Sequence, residues 1–142
     1  LPIGFHDYIY KILSQSEVAA GAFRLKINSA SPGLRLVESV ANCRSQLLQL
    51  PYGDQAIFLK KSIFWQVGGF PDLPIMEDFE FIRRVRKMGR IAIAPVSVIT
   101  SDRRWRRLGI FRTTLINQWM ILCFYLGADP HRLAQAYREN RV

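Results

Sequence analysis

Two adjacent carboxylates, Glu77 and Asp78, follow an apolar loop and begin a segment with helical spacing. Asp78, Ile82 and Val85 share one face of that helix, so the Asp78 carboxylate is expected at the exposed end of a stripe packed on the core. A carboxylate with a fixed position and limited solvation is suited to act as a general base. Alternatively, both acids cap the N-terminus of the helix and interact favourably with its dipole. The local pattern therefore leaves two interpretations open.

The second group of candidate functional residues is the basic segment TSDRRWRR at 100–107. It follows an apolar segment expected to be a buried strand, and ligands of α/β folds bind at such strand ends. Residues 83 to 112 hold ten of the 20 Lys and Arg residues, with Asp102 as the only acid among them. A solvated basic loop is the alternative to an anion-binding role.

The formal net charge of +9 favours anionic partners, and nucleic acid, acidic lipid and the diphosphate of a nucleotide sugar all qualify. Trp105 and Phe111 interleave with the arginines, as in some nucleic-acid binders. We expect no specific nucleic acid, because no helix-turn-helix, RNP or KH motif is present. The apolar segment from Leu108 to Leu126, flanked by arginines, would suit peripheral contact with an anionic membrane, and packing in a core or a homodimer is the simpler explanation.

Strands and helices alternate along the chain, which predicts a layered α/β fold with a small sheet. The predicted strands are Val18 to Asn28, Ala56 to Lys60 and Ile91 to Thr100, the last with a bend or a sheet edge at Pro95. Helices are predicted over Asp7 to Ser14, Leu34 to Leu50, Glu77 to Gly89, Leu108 to Leu126 and Pro130 to Tyr137. In the second of these helices, apolar side chains recur at helical spacing at Leu36, Val40, Cys43 and Leu47.

The cysteines and histidines give no metal or disulfide pattern. Cys43 and Cys123 lie in apolar helical segments without a CxxC motif, so we expect buried free thiols. His6 and His131 have no second ligand at metal-binding spacing.

We expect the protein to be cytoplasmic and to make peripheral contact with the inner membrane. Residues 1–5 lack the basic and apolar parts of a signal peptide. The longest apolar stretch, Leu115 to Ala128, is shorter than the ~20 residues that cross a bilayer.

A resemblance to a known family rests on the stretch at 53–89, GDQAIFLKKSIFWQVGGFPDLPIMEDFEFIRRVRKMG. Gly-Gly-Phe, a short spacer, Glu-Asp and a helix with Arg-Arg resemble the acceptor half of family 2 glycosyltransferases, which have the GT-A fold. The segments LPIGF at 1–5, VAAGAFRLKI at 18–27 and LPYGDQ at 50–55 are also similar to that family. The similarity covers nearly all of the 142 residues and is greatest to the bacterial selenodomain-associated transferases.

The resemblance implies an inverting transfer from a nucleotide-diphosphate sugar to a hydroxyl acceptor. In the family, the Asp of the Glu-Asp pair deprotonates the acceptor hydroxyl, which makes Asp78 the expected catalytic base and gives Glu77 a place on the acceptor side. Asp54 and Gln55 are expected to bind an acceptor hydroxyl, and a turn after Gly53 is the alternative explanation for them.

Arg104 and Trp105 resemble the Arg-Trp end of the QxxRW motif in processive members of the family. There the Arg offsets the charge of the departing diphosphate, which a guanidinium binds in a bidentate way, and the Trp borders the acceptor. Ser101 stands in place of the Gln, which argues against a processive polysaccharide synthase. It also leaves open whether Arg103 or Arg104 faces the site.

A complete GT-A enzyme also has an N-terminal half with nucleotide-binding loops and a metal-binding DxD motif. No two Asp residues here are spaced i, i+2. The divalent ion expected for the complete enzyme, Mg or Mn, is therefore expected to have no ligands in this chain. We expect one partial domain over 1–142, with an acceptor half at about 1–107 and C-terminal helices at about 108–142. This chain alone is not expected to transfer sugar.

Two further function classes stay open. A non-catalytic basic module for nucleic acid or an anionic membrane predicts salt-sensitive binding to polyanions. A structural role, in which an exposed sheet edge pairs with a second copy, predicts an obligate homodimer.

Overall fold

A computed structural model describes residues 1–139, except for the side chain of Arg104. The elements in chain order are α1 (Phe5–Leu13), β1 (Val18–Asn28), α2 (Pro32–Leu48), a 3-10 turn (Gly53–Gln55), β2 (Phe58–Leu59), α3 (Lys61–Gln66), α4 (Glu77–Val85), β3 (Arg90–Ser101), α5 (Arg103–Leu108), α6 (Ile110–Tyr125) and α7 (Pro130–Glu139). The predicted mixture of strands and helices is confirmed.

The sheet has the strand order β2-β1-β3, with β1 antiparallel to β2 and parallel to β3. The predicted small mixed sheet of an α/β protein is therefore confirmed. Gly21 of β1 faces the ring of Phe58 in β2, and a Cβ atom at Gly21 would lie 2.3 Å from that ring. A larger residue at position 21 would therefore force the Phe58 ring out of its place.

A bulge interrupts the pairing of β1 with β3. Ala22 pairs with Ile93 and Arg24 pairs with Ser97, so one residue of β1 faces three residues of β3, including Pro95. Proline lacks the N–H group that a strand interior needs, and bulges accommodate it. The irregularity predicted at Pro95 is confirmed.

Helix α4 is anchored on the core along its whole length. Phe79, Phe81, Ile82 and Val85 are almost completely buried and pack in one cluster with residues of β1 and β3. Fully burying side chains of this size contributes ~1.5–3 kcal/mol each. The first turn of α4 is therefore held in a fixed position relative to the sheet.

Helix α2 presents polar side chains to the edge of β1 that β2 leaves uncovered. The side-chain amide of Asn42 accepts from the N–H of Leu25 at 2.8 Å and donates to its carbonyl at 3.0 Å. Glu38 accepts from the N–H of Ile27. Alternate residues of a strand direct their backbone groups to the same edge, so α2 takes the place of a neighbouring strand there.

As a consequence, the apolar stripe of α2 faces outward. Leu36, Val40 and Leu47 are 66%, 58% and 75% exposed. Cys43 is also exposed and Cys123 is half-buried, so the prediction of a buried thiol is wrong for Cys43. The cause is that unpaired buried backbone groups of β1 would cost more than the exposure of this stripe.

Within residues 1–139, no helix combines the length and apolar character required to cross a bilayer.

Candidate functional site

A cavity of about 490 Å³ lies between the 3-10 turn, the start of α4, and helices α6 and α7. Three of the residues singled out from the sequence line it, namely Asp54, Glu77 and Asp78. Asp54 and Glu77 are exposed, whereas Asp78 is half-buried. The fold therefore brings three carboxylates from two separate segments to one cavity.

The Asp78 carboxylate is held by two backbone N–H groups. Its Oδ2 accepts from the N–H of Gly53 at 2.8 Å, and its Oδ1 accepts from the N–H of Phe79 at 2.7 Å. A Cβ atom at Gly53 would lie 3.1 Å from Oδ2, so the close approach depends on glycine at this position. The carboxylate therefore has a fixed orientation at the first turn of α4.

Left-handed backbone conformations occur at two non-glycine residues beside the cavity. Met76, with φ of 65°, precedes Glu77, and Ala56, with φ of 46°, follows the 3-10 turn. Such conformations cost ~1–3 kcal/mol each and are concentrated at functional sites. The two segments that carry the carboxylates are thus both held in strained positions by the surrounding structure.

Gln55 lies elsewhere than the sequence analysis expected. Its side chain is fully buried, with Nε2 donating to the carbonyl of Phe23 at 3.0 Å and Oε1 lying 2.6 Å from Oγ of Ser45. Its Oε1 also accepts from the N–H of Tyr52 at 3.3 Å. Instead of lining the cavity, Gln55 fixes the turn that carries Asp54.

Arg44 and Tyr52 are residues of the site that the sequence analysis missed. The guanidinium carbon of Arg44 lies 3.4 Å from the centroid of the Tyr52 ring, and Nε donates to the carbonyl of Leu50 at 3.1 Å. Burial lowers the pKa of Arg44, an effect that the neighbouring Tyr52, Asp54 and Asp78 oppose. Burial also raises the pKa of Tyr52.

In this pair a half-buried guanidinium stacks on the ring of Tyr52, which itself lines the Asp78 cavity. The position of Tyr52 directly before the Gly-Asp-Gln turn was the one signal in the sequence that pointed to it. Nothing in the sequence of α2 distinguishes Arg44 from the other polar residues of that helix.

The predicted leaving-group residue Arg103 does not line the Asp78 cavity. Arg103 is exposed, and the side chain of Arg104 lies outside the described part of the chain. Arg138 of α7 lines that cavity instead, together with Tyr137. No motif in the sequence indicated either of these α7 residues.

Trp105 lies in a second cavity, of about 440 Å³, between α2 and α6. Its ring packs on the buried cluster of Leu25, Ile27 and Leu34, and its Nε1 is buried without an acceptor among the described residues. Asp54 also lines this second cavity. The predicted acceptor residues Asp54 and Trp105 therefore share a cavity, which adjoins that of Asp78.

Asp102 fixes the start of α5, which carries Trp105. Its Oδ2 accepts from Nε of Arg106 at 2.7 Å, and this hydrogen bond holds the pKa of Asp102 below its ordinary value. The pair is an i, i+4 contact across the first turn of α5.

The described residues contain no group of three or more His, Cys, Asp and Glu side chains that could hold a metal ion. Asp54, Glu77 and Asp78 line one cavity without forming such a group.

The fold and the site define an α/β protein with an acidic cavity at the first turn of a core helix. The chain matches no protein-family model, no curated protein and no solved structure.

Proposed function

We propose that this chain is the acceptor half of an inverting glycosyltransferase with a GT-A fold, in which Asp78 is the general base. The observation that carries the proposal is the Asp78 carboxylate, which two backbone N–H groups orient at the wall of a cavity of about 490 Å³. A carboxylate has about four lone-pair sites. Each Asp78 oxygen therefore keeps a site that can accept a hydrogen bond from an acceptor hydroxyl.

The reaction needs one base and one departing group. Asp78 takes the proton of the acceptor hydroxyl while the oxygen forms a bond to the anomeric carbon, and the bond from that carbon to the diphosphate breaks on the opposite face. The diphosphate gains negative charge, which a guanidinium can offset. Arg138 lines the cavity and is a further candidate for this role, in addition to the predicted Arg103 and Arg104.

The stereochemistry of the product tests this function. With a protein that also carries a donor-binding half, we expect an α-linked nucleotide sugar to give a β-linked product, because a single displacement inverts the anomeric carbon. Proton NMR of the anomeric hydrogen distinguishes the two linkages. A product with retained configuration would require a covalent or front-face mechanism and would remove the role of Asp78 as base.

Peripheral contact with an anionic membrane is the second candidate, favoured by a separate observation on α6. One side of this helix carries an apolar stripe whose members are all at least half exposed: Phe111, Leu115, Trp119, Leu122 and Leu126. Exposed arginines lie at its N-terminal end, at positions 106, 107 and 112. An apolar helix face beside cations is typical of helices that lie in the plane of a bilayer surface.

Replacing Trp119 by Asp is expected to weaken binding to vesicles of phosphatidylcholine with 30% phosphatidylglycerol by about tenfold or more, because a charge enters the apolar face. Co-sedimentation of protein with vesicles measures the effect. Trp65→Asp is the matched control, since Trp65 on α3 is 65% exposed and Trp119 is 61% exposed. Equal loss of binding in both variants would exclude α6 as a specific membrane face. Equal binding to vesicles without phosphatidylglycerol would exclude a preference for anionic membranes.

A further inference from the structure

We propose that the acceptor is an amphiphilic alcohol, whose apolar part occupies the cavity between α2 and α6 while its hydroxyl lies at Asp78. The inference rests on the proposed function, since it names the substrate class of the same site.

The cavity has the composition of a binding site for an apolar chain. It encloses about 440 Å³ and its walls are mostly aliphatic and aromatic side chains, among them Val37, Val40, Ala41, Ile110 and Phe111. Ligand cavities in proteins are typically ~300–1,000 Å³, largely apolar, with a few polar groups that fix orientation. The polar side chains of the lining are fewer, and they are Arg44, Tyr52, Asp54, Thr114, Asn117 and Gln118.

Three of these polar residues join the cavity to the Asp78 cavity. Tyr52, Asp54 and Asn117 line both of them. A molecule that extends from one cavity into the other therefore passes an acidic and an amide side chain at the junction. Its apolar part would then lie along α2 and its hydroxyl would lie beside Asp78.

The orientation of α2 explains why this apolar surface is exposed. Because Glu38 and Asn42 turn inward to pair with β1, the opposite side of the helix carries Leu36 and Val40 to the cavity wall at 66% and 58% exposure. An alkyl chain in the cavity would cover both side chains. Removing apolar surface from water is the driving force for its binding.

A series of alkyl β-D-glucosides, from methyl to octyl and below their micelle concentrations, tests the subsite by binding alone. Titration followed by calorimetry gives each Kd. Each methylene that enters the cavity is expected to tighten binding about fourfold, which corresponds to ~0.8 kcal/mol. Affinity that does not change with chain length would overturn the proposal.

Val40→Asp is expected to weaken octyl glucoside binding about tenfold or more and to leave methyl glucoside unchanged, because a carboxylate at the cavity wall must be desolvated by the chain. Leu47→Asp is the matched control on the same exposed stripe of α2, at 75% exposure and outside the cavity lining. Both sites are on the surface, so the variants should fold. Equal weakening by both variants would show non-specific adsorption and would overturn the proposal.

The outcomes separate this inference from the proposed function. Chain-length-dependent binding that Val40→Asp removes would establish the subsite even if no sugar transfer is found. Transfer to acceptors without an apolar part, at the same kcat/KM as to alkyl acceptors, would retain the function and reject the subsite. A second copy of the chain in the groove would show as a dimer by sedimentation that octyl glucoside does not disturb, which also rejects it.

Discussion

Asp78→Asn lowers turnover by ~10²–10⁴ in the proposed enzyme, the range that a positioned general base contributes. The amide retains one oxygen, which can still accept from the N–H of Phe79, whereas its NH2 group then faces the N–H of Gly53 and that hydrogen bond is lost. The variant also loses the ability to take a proton from the acceptor hydroxyl, and circular dichroism checks that the fold is kept. Steady-state kinetics in a protein that carries the donor-binding half would measure the loss in kcat.

Glu77→Gln is the matched control for this change. Glu77 lies on the same cavity one residue earlier, is exposed and also carries one negative charge. We expect its effect on kcat to be far smaller, since no backbone N–H group is seen to orient its carboxylate among the described hydrogen bonds. Unchanged nucleotide binding in both variants would locate the loss in the chemical step. Full activity of Asp78→Asn would remove Asp78 from the mechanism.

Gln55→Leu is expected to lower the free energy of unfolding by ~2–4 kcal/mol, because it leaves buried polar groups without partners at ~1–3 kcal/mol each. The groups are the carbonyl of Phe23 and the N–H of Tyr52, which the Gln55 amide pairs at 3.0 and 3.3 Å. Leucine has a similar size, so loss of packing contributes little. Urea unfolding followed by circular dichroism measures the change.

Gln66→Leu is the control for the Gln55 variant. Gln66 ends α3 and is exposed, and such surface substitutions usually change stability by less than ~0.5 kcal/mol. If Gln55→Leu has an equally small effect, the buried amide does not hold the 3-10 turn. A loss of stability that comes with weaker acceptor binding would support its role in positioning Asp54.

Elements with local signals could be predicted from the amino-acid sequence alone. The alternation in β1 predicted its bounds, Val18 to Asn28, without error. The apolar spacing after Asp78 predicted the buried face of α4, where Ile82 and Val85 are fully buried. In both elements the face that is buried is also the apolar face, so hydrophobic period and tertiary packing agree.

Which face of α2 packs against β1 depends on tertiary contacts. Its apolar stripe, which includes Leu36 and Val40, predicted the opposite side. The open edge of β1 lies next to the helix, and Glu38 and Asn42 supply the hydrogen bonds that its backbone needs. Which edge stays open depends on how short β2 is, a property that the sequence of α2 cannot encode.

The partners in the candidate site were likewise set by tertiary contacts. Asp78 was selected from its place at the start of a helix, but its contact with the N–H of Gly53 joins segments 25 residues apart. Gln55 follows Asp54 directly, yet the 3-10 turn directs one side chain into the core and the other to the cavity. Sequence determined which residue types were present, and chain packing decided which of them meet, because burial and hydrogen-bond partners are properties of the assembled fold.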